Sequence, residues 1–143
     1  MKLNKIVFVL TTALVLVGCG SDNKALVVSA DDFCDINSPK GEINAQDELL
    51  AWGWAFDKST GKIPESISMQ FISEDTKNGL RIELNRDSRP DVAKAFNLPV
   101  EMAGYKTKIN LKTLTPGVYS VSIVQGEDGK LLLCTSKSKL ILK

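Results

Sequence analysis

Alternation of apolar and polar residues recurs along the chain from residue 26 onward and predicts β-strands. The clearest case is residues 66–73, where Ile67, Met69 and Phe71 alternate with polar neighbours, as in a strand with one buried face. Similar alternation, bounded by turn residues, predicts further strands at residues 80–84, 105–111 and 118–124. The run from Leu131 to Leu142 predicts a last strand or pair of strands.

One stretch departs from this pattern and predicts a helix. Pro90 suits the first helical turn, and Asp91 is favourable near the positive end of a helix. The segment Asn97-Leu98-Pro99 would end it, so the helix is expected near residues 90–96. Seven or so short strands and one helix predict a mainly β domain over residues 26–143. The expected fold is an antiparallel β-sandwich, immunoglobulin-like in general character.

The segment from Leu49 to Asp57 predicts a strand with two unlike faces. One face carries the large residues Leu50, Trp52, Trp54 and Phe56, and the other carries Ala51, Gly53 and Ala55. The aromatic face is either the core of the sandwich or a stacking platform. Core is the favoured interpretation, because a sheet must bury one face and aromatic rings supply much of that area. If one ring is exposed, Trp52 is expected to be that ring.

The N-terminus predicts an exported protein. Lys2 and Lys5 precede an apolar run of about the length of a secretory signal, which is too short to span a bilayer. The run ends in Leu16-Val17-Gly18-Cys19, which resembles the lipobox of bacterial lipoproteins. The alternative, a buried N-terminal helix, would show a polar face, and this run shows none.

The lipobox resemblance implies that residues 1–18 are a removed signal peptide and that Cys19 becomes a lipid anchor. Several acyl chains anchor a protein stably, whereas one chain does so only marginally. Residues 19–25 would then form a lipidated tether. Gly20 follows the cysteine where Asp would imply inner-membrane retention, so the resemblance implies the outer membrane if the envelope has one.

Composition narrows the classes of function. After removal of Lys2 and Lys5, the 18 Lys and Arg become 16 against 17 Asp and Glu, a net charge of −1. No basic field for nucleic acid is therefore expected. The chain contains no histidine, which excludes Ser-His-Asp and Cys-His catalysis within this chain. No cofactor-binding or metal-ligand motif is recognisable either.

Two cysteines remain once Cys19 is assigned to lipid. In an exported protein, Cys34 and Cys134 are expected to form a disulfide. The closed loop of about 100 residues would stabilise the fold by up to roughly 4.7 kcal/mol on the chain-entropy model. Two separate buried thiols are the alternative.

Four motifs follow one another along the mature chain, and together they resemble a known family. They are Gly53-Trp54-Ala55-x-Asp57, Arg89-Pro90-Asp91-Val92-Ala93, Ala103-Gly104-Tyr105 and Leu114-x-Pro116-Gly117-x-Tyr119. The series resembles a small β-sandwich module found beside bacterial glycosyltransferases and other surface-polysaccharide enzymes. The resemblance covers about residues 50–125. It implies an accessory module that binds or spaces and does not catalyse.

These motifs supply the candidate binding residues Trp54, Asp57, Arg89 and Asp91, and the aromatic face of the strand from Leu49 to Asp57 adds Trp52. Exposed aromatic rings near Arg89 and Asp91 would suit a sugar, whereas buried ones would make the motif a folding signature. An ion pair between Asp57 and Arg89 could hold the helix to the sheet. Two separate solvated charges are the alternative, worth about 0–1 kcal/mol even if they meet.

The sequence therefore predicts an envelope-anchored, non-enzymatic binding module. Its partner would be another envelope protein or a surface glycan. An alternative is a small exclusion, inhibitor or immunity lipoprotein that blocks a receptor or a hydrolase. A third hypothesis is an enzyme using paired carboxylates. Such chemistry requires a cleft with two carboxyls about 5–9.5 Å apart, and a domain this small offers little cleft, so this hypothesis is disfavoured.

Overall fold

The computed structural model describes residues 24–45 and 48–143. The predicted signal peptide, Cys19 and residues 19–23 of the predicted tether lie outside the described residues. The described strands are β1 (Leu26–Ser29), β2 (Cys34–Ser38), β3 (Gly41–Ile43), β4 (Leu49–Ala55), β5 (Ser66–Ser73), β6 (Gly79–Glu83), β7 (Arg86–Asp87), β8 (Gly104–Ile109), β9 (Gly117–Glu127), β10 (Lys130–Thr135) and β11 (Leu140–Leu142). The helix α1 spans Pro90–Phe96, and a 3-10 turn spans Glu101–Ala103. None of the helices within these ranges is long and apolar enough to cross a membrane.

The described strands form two sheets. In the larger sheet, the long strand β9 pairs with β5 on one side and with β10 and β11 on the other. In the smaller sheet the order is β2-β4-β8-β7, and every pair is antiparallel. The mainly β, mostly antiparallel prediction is confirmed at this level.

Two strand pairs of the larger sheet are parallel, which the sequence did not predict. β1 runs parallel to β10, and β3 runs parallel to β11. Between them the chain leaves the larger sheet after β1 and adds β2 to the smaller sheet before returning as β3. As a result β1 and β3 lie along the same side of the larger sheet, beside different strands.

The main core lies between the sheets and follows the predicted alternation. On β5 the buried apolar side chains are Ile67, Met69 and Phe71, and β9 contributes Val121 and Ile123. Burying apolar surface at roughly 25 cal/mol per Å² is the main force that holds such layers together. The periodicity therefore predicted the core-facing positions of these two strands.

The expectation that the aromatic face of β4 lies in the core is wrong. Ala51 and Ala55 on the small-residue face are fully buried, while Trp52 on the aromatic face is 42% exposed. The reason lies on the neighbouring strand. Tyr105 of β8 pairs with Gly53, and a Cβ placed on Gly53 would come within 2.6 Å of the Tyr105 hydroxyl. Tyr105 and the Asp35 carbonyl oxygen therefore fill the space over Gly53 on the core side of β4, where no side chain fits.

A second, smaller cluster forms where α1 covers part of the smaller sheet. Phe56, Val92 and Val100 are buried in it. The Trp54 and Phe96 rings meet edge to face, with centroids 5.2 Å apart, a favoured aromatic geometry. The helix spans the predicted residues and ends where Asn97 adopts a left-handed conformation.

The predicted disulfide between Cys34 and Cys134 is present, with the two Cα atoms 6.1 Å apart. Cys34 begins β2 in the smaller sheet, and Cys134 lies in β10 of the larger sheet. The bridge therefore links the two layers directly.

Candidate binding groove on the smaller sheet

The pairing of β4 with β8 places the candidate groove on the outer face of the smaller sheet. Trp52 is opposite Lys106, and Leu50 is opposite Lys108. Side chains that are directly opposite share a face of the sheet. Exposed apolar residues on β4 therefore lie beside exposed lysines on β8.

An open depression of about 350 Å³ lies at this position. Its lining combines apolar side chains with charged ones of both signs: Leu50, Trp52, Gly53, Asp87, Arg89, Tyr105 and Lys106. This is the composition of a ligand site in which a flat apolar surface provides area and a few polar groups provide orientation.

Arg89 is held in a fixed position beside the groove. Its Nε and Nη2 donate to the two carboxylate oxygens of Asp91 at 2.8 and 2.7 Å. These hydrogen bonds raise the pKa of Arg89 and lower the pKa of Asp91. The two-pronged contact leaves the planar guanidinium little rotational freedom. Its third nitrogen, Nη1, is buried and has no hydrogen-bond partner among the described residues.

Gly104 provides the space for Arg89. A Cβ at Gly104 would collide with the Arg89 Cγ and would lie 2.6 Å from the Asp87 carbonyl oxygen. This accounts for the glycine in the Ala103-Gly104-Tyr105 motif.

Tyr105 borders the groove from the core side of the smaller sheet. The side chain is almost completely buried, and its hydroxyl has no hydrogen-bond partner within the described ranges. Burial raises the pKa of Tyr105 above its ordinary value, and the nearby Asp35 acts in the same direction. The hydroxyl therefore remains protonated at neutral pH.

The structure separates the five predicted binding residues. Trp52 and Arg89 line the groove together, and Asp91 is exposed beside Arg89. Trp54 is half-buried in the aromatic cluster under α1. Of the two tryptophans, Trp52 is the exposed one, as expected.

Asp57 lies elsewhere, and the ion pair with Arg89 that the sequence left open does not form. Asp57 accepts hydrogen bonds from the Ser59 backbone at 2.9 Å and from Lys130 at 3.2 Å. The chain turns directly after β4, which directs Asp57 towards the β9–β10 hairpin. Arg89 pairs instead with Asp91, two residues further along the chain. Burial acts to raise the pKa of Asp57, but the hydrogen bonds from Ser59 and Lys130 outweigh it and lower the pKa.

Sequence reasoning did not identify Leu50, Lys106 or Tyr105 as groove residues. The alternation of Tyr105, Thr107 and Ile109 with lysines contains part of the signal, because it places Lys106 on the outer face. The position of Lys106 beside Trp52 depends on the β4–β8 register, which the sequence pattern does not specify.

Among residues 24–45 and 48–143, no group of three potential metal-ligating side chains is close enough to hold an ion. No protein-family model matches the chain, and no curated protein matches it. A solved structure, the endo-beta-1,4-mannanase from Thermotoga petrophila, resembles it with a TM-score of 0.48 and 16% sequence identity. The resemblance covers 80% of this chain and 20% of the mannanase chain.

Proposed function

We propose that this chain is a non-catalytic binding module that a lipidated Cys19 holds at the cell envelope, and that its groove takes a surface glycan. The observation that carries the glycan assignment is the exposed indole of Trp52 beside the fixed guanidinium of Arg89. An exposed aromatic ring can stack on the C–H face of a sugar, while Arg89 and Lys106 provide donors for its hydroxyls.

Three other expectations from the sequence belong to the same proposal. The lipobox resemblance supports export and, in a two-membrane envelope, attachment to the outer membrane. The absence of histidine supports a role without catalysis. Two sheets joined across the core by a disulfide support an immunoglobulin-like character for the sandwich.

The test is direct binding of envelope polysaccharide, purified from the producing cells, to the full lipidated protein in nanodiscs. We expect saturable binding that Trp52→Ala weakens at least about tenfold, because truncating a central aromatic residue costs about 2 kcal/mol or more. Trp52→Phe should keep part of the affinity. Ile141→Ala is the matched control, since Ile141 is 40% exposed on a different strand. Undiminished binding by Trp52→Ala would contradict the proposal.

A second candidate is an exclusion, inhibitor or immunity role with a protein partner. It is favoured by β1, whose Leu26 and Val27 are 64% and 58% exposed. β1 pairs with β10 on one side only among the described strands. An open strand edge can accept a strand from a partner. Capture of one stoichiometric protein from cross-linked envelopes, lost on Val27→Pro and retained on Trp52→Ala, would support this role over the glycan.

A further inference from the structure

A second cavity lies at the end of the sandwich, apart from the Trp52 groove. It has a volume of about 190 Å³ and lies between the loop of residues 57–64 and the β9–β10 hairpin. It shares no lining residue with the groove. The volume is several times the ~30 Å³ that a water molecule occupies in the liquid.

Gln125, a residue of the cavity lining, carries a hydrogen-bond donor that has no partner among the described residues. The side chain is fully buried and forms part of the cavity wall. Its Oε1 accepts a hydrogen bond of 3.1 Å from Nη2 of Arg86. Burial lowers the pKa of Arg86 to about 10, so the guanidinium is still charged at neutral pH. Because Arg86 is a pure donor, it fixes which end of the amide is oxygen.

The other end of that amide, Nε2, has no acceptor among the described residues. Buried donors in folded proteins are almost always paired. A rotated amide, with Oε1 and Nε2 exchanged, is excluded by Arg86. It would place the Gln125 NH₂ donor against the Arg86 donor. The acceptor for Gln125 is therefore expected to come from a molecule in the cavity.

Asp57 supplies the complementary group. Its carboxylate is almost completely buried and is oriented by Ser59 and Lys130. Its Oδ1 accepts from both the backbone N–H and the hydroxyl of Ser59, and its Oδ2 accepts from Lys130. Each carboxylate oxygen can accept more than one hydrogen bond, so Oδ2 retains acceptor capacity for a ligand. The site thus offers a fixed donor and a fixed acceptor.

The charges of the lining select the class of ligand. The lining carries three carboxylates and one ammonium group, and this excess of negative charge disfavours an anion. The charged residues are Asp57, Glu127, Asp128 and Lys130. The Gln125 donor and the Lys130 ammonium both disfavour a metal cation. A neutral group that donates and accepts, such as a pair of adjacent hydroxyls, satisfies Asp57 and Gln125 together. Pro64 and Leu132 add an apolar surface suited to C–H groups.

We propose that this cavity binds one neutral, hydroxyl-rich ring, namely a neutral monosaccharide unit. One of its hydroxyls accepts from Gln125 Nε2, and a hydroxyl donates to Asp57. This inference goes beyond the proposed function, because it concerns a separate site that neither Trp52 nor Arg89 lines.

The experiment follows the Gln125 side-chain NH₂ signals by NMR in the ¹⁵N-labelled full chain, with its lipid anchor in detergent micelles. Glucose, galactose, mannose and N-acetylglucosamine are the probes, each up to about 20 mM, since small ligands with few contacts bind weakly. We expect at least one sugar to shift these signals saturably, together with the backbone amides of Thr60 and Lys130. The indole N–H of Trp52 should not shift with the same dissociation constant.

Gln125→Glu is the decisive variant. The carboxylate keeps an acceptor for Arg86 and replaces the Nε2 donor, so the protein should remain folded with an unchanged or higher melting temperature. Because the Gln125 signals are absent from this variant, the amides of Thr60 and Lys130 report binding. We expect an affinity at least about tenfold weaker, equivalent to 1.4 kcal/mol. The matched control is Gln70→Glu, since Gln70 lies on the opposite side of β5 from the buried Met69 and Phe71.

Trp52→Ala separates this proposal from the proposed function. It should leave the Gln125 shifts unchanged, even if binding of envelope polysaccharide is lost. Each active sugar is then compared with its methyl glycoside. If the glycoside still binds, the ligand is a sugar unit within a chain; if it does not, the ligand is a free monosaccharide. No saturable shift with any of the four sugars would overturn the proposal. So would equal affinity in Gln125→Glu.

Discussion

Trp52 and Trp54 lie two residues apart on the same face of β4, yet their environments differ. Trp54 packs against Phe96 of α1, whereas Trp52 is absent from that aromatic cluster and is 42% exposed. The strand period puts both rings on one side. Which ring becomes core is decided by the helix that the chain places over only one half of the sheet.

The comparison shows that one sheet face can serve two purposes. The half that contains Trp54 packs into the second core cluster, and the half that contains Trp52 lines the groove. The Gly-Trp-Ala-x-Asp motif lies across this boundary, with Trp54 in the covered half. Substitutions in the two halves should therefore affect different measurements.

The largest expected effect is on the covered half. Trp54→Ala should lower the free energy of unfolding by about 3 kcal/mol, the lower end of the range for buried aromatic residues, since Trp54 is only half-buried. Urea unfolding followed by circular dichroism measures this. A loss no greater than that of Trp52→Ala would contradict the distinction between the two rings.

Gly104→Ala should affect both halves. The added methyl collides with the Arg89 Cγ, and relief of such overpacking costs about 1–3 kcal/mol. Arg89 should also leave its position beside Trp52, so affinity for envelope polysaccharide should fall with stability. Unchanged stability and unchanged binding would show that the backbone yields there without cost. Gly129→Ala is a poor control because of its positive φ, and Ala95→Ser on the exposed side of α1 is preferable.

Asp57 should make stability depend on pH. Its folded-state pKa lies below the ordinary value of 3.8, so its contribution is complete above about pH 4 and is lost as the pH falls through the folded pKa. Asp57→Asn should cost about 1 kcal/mol at pH 7, the net value of a typical hydrogen bond. It should also flatten the stability profile below pH 4. An unchanged acid slope in urea titrations would contradict this assignment.

The smallest expected effect is Trp52→Ala on stability. Exposed positions usually change the free energy of unfolding by no more than about 0.5 kcal/mol. Unfolding in urea, compared with Ile141→Ala, measures this. A loss of about 2 kcal/mol or more would mean that Trp52 supports the fold rather than a ligand.

Much of the fold could be predicted because several elements carry their own signal. The helix at Pro90–Phe96 and the strand at Ser66–Ser73 have the predicted bounds. The strands β2, β3 and β7 were missed. They have two to five residues and lack a clear alternation. These segments form strands because their backbones hydrogen-bond to neighbouring strands. The local sequence pattern does not show which strands will be neighbours.

The site was harder to predict for the same reason. Trp52 was named as the ring to be exposed if one was, but the position of its neighbour Lys106 depends on strand register. The aromatic face of β4 was expected in the core, because the sequence does not show that Tyr105 already fills the space over Gly53. The partner of Asp57, Lys130, was not identified, since the direction of the turn after β4 depends on tertiary contacts.

The disulfide between Cys34 and Cys134 has a mechanical consequence. A pull on the N-terminal end of the domain reaches β1 first and then Cys34, from which the covalent bridge carries the load to β10. The 99 residues between the cysteines, at a sequence separation of 100, cannot be extended by a force applied outside the loop. At about 3.5 Å per extended residue, this removes roughly 350 Å of extensible chain. Tension between the tethered end and the residues after Cys134 would therefore bypass the loop, which contains the whole outer face of the smaller sheet.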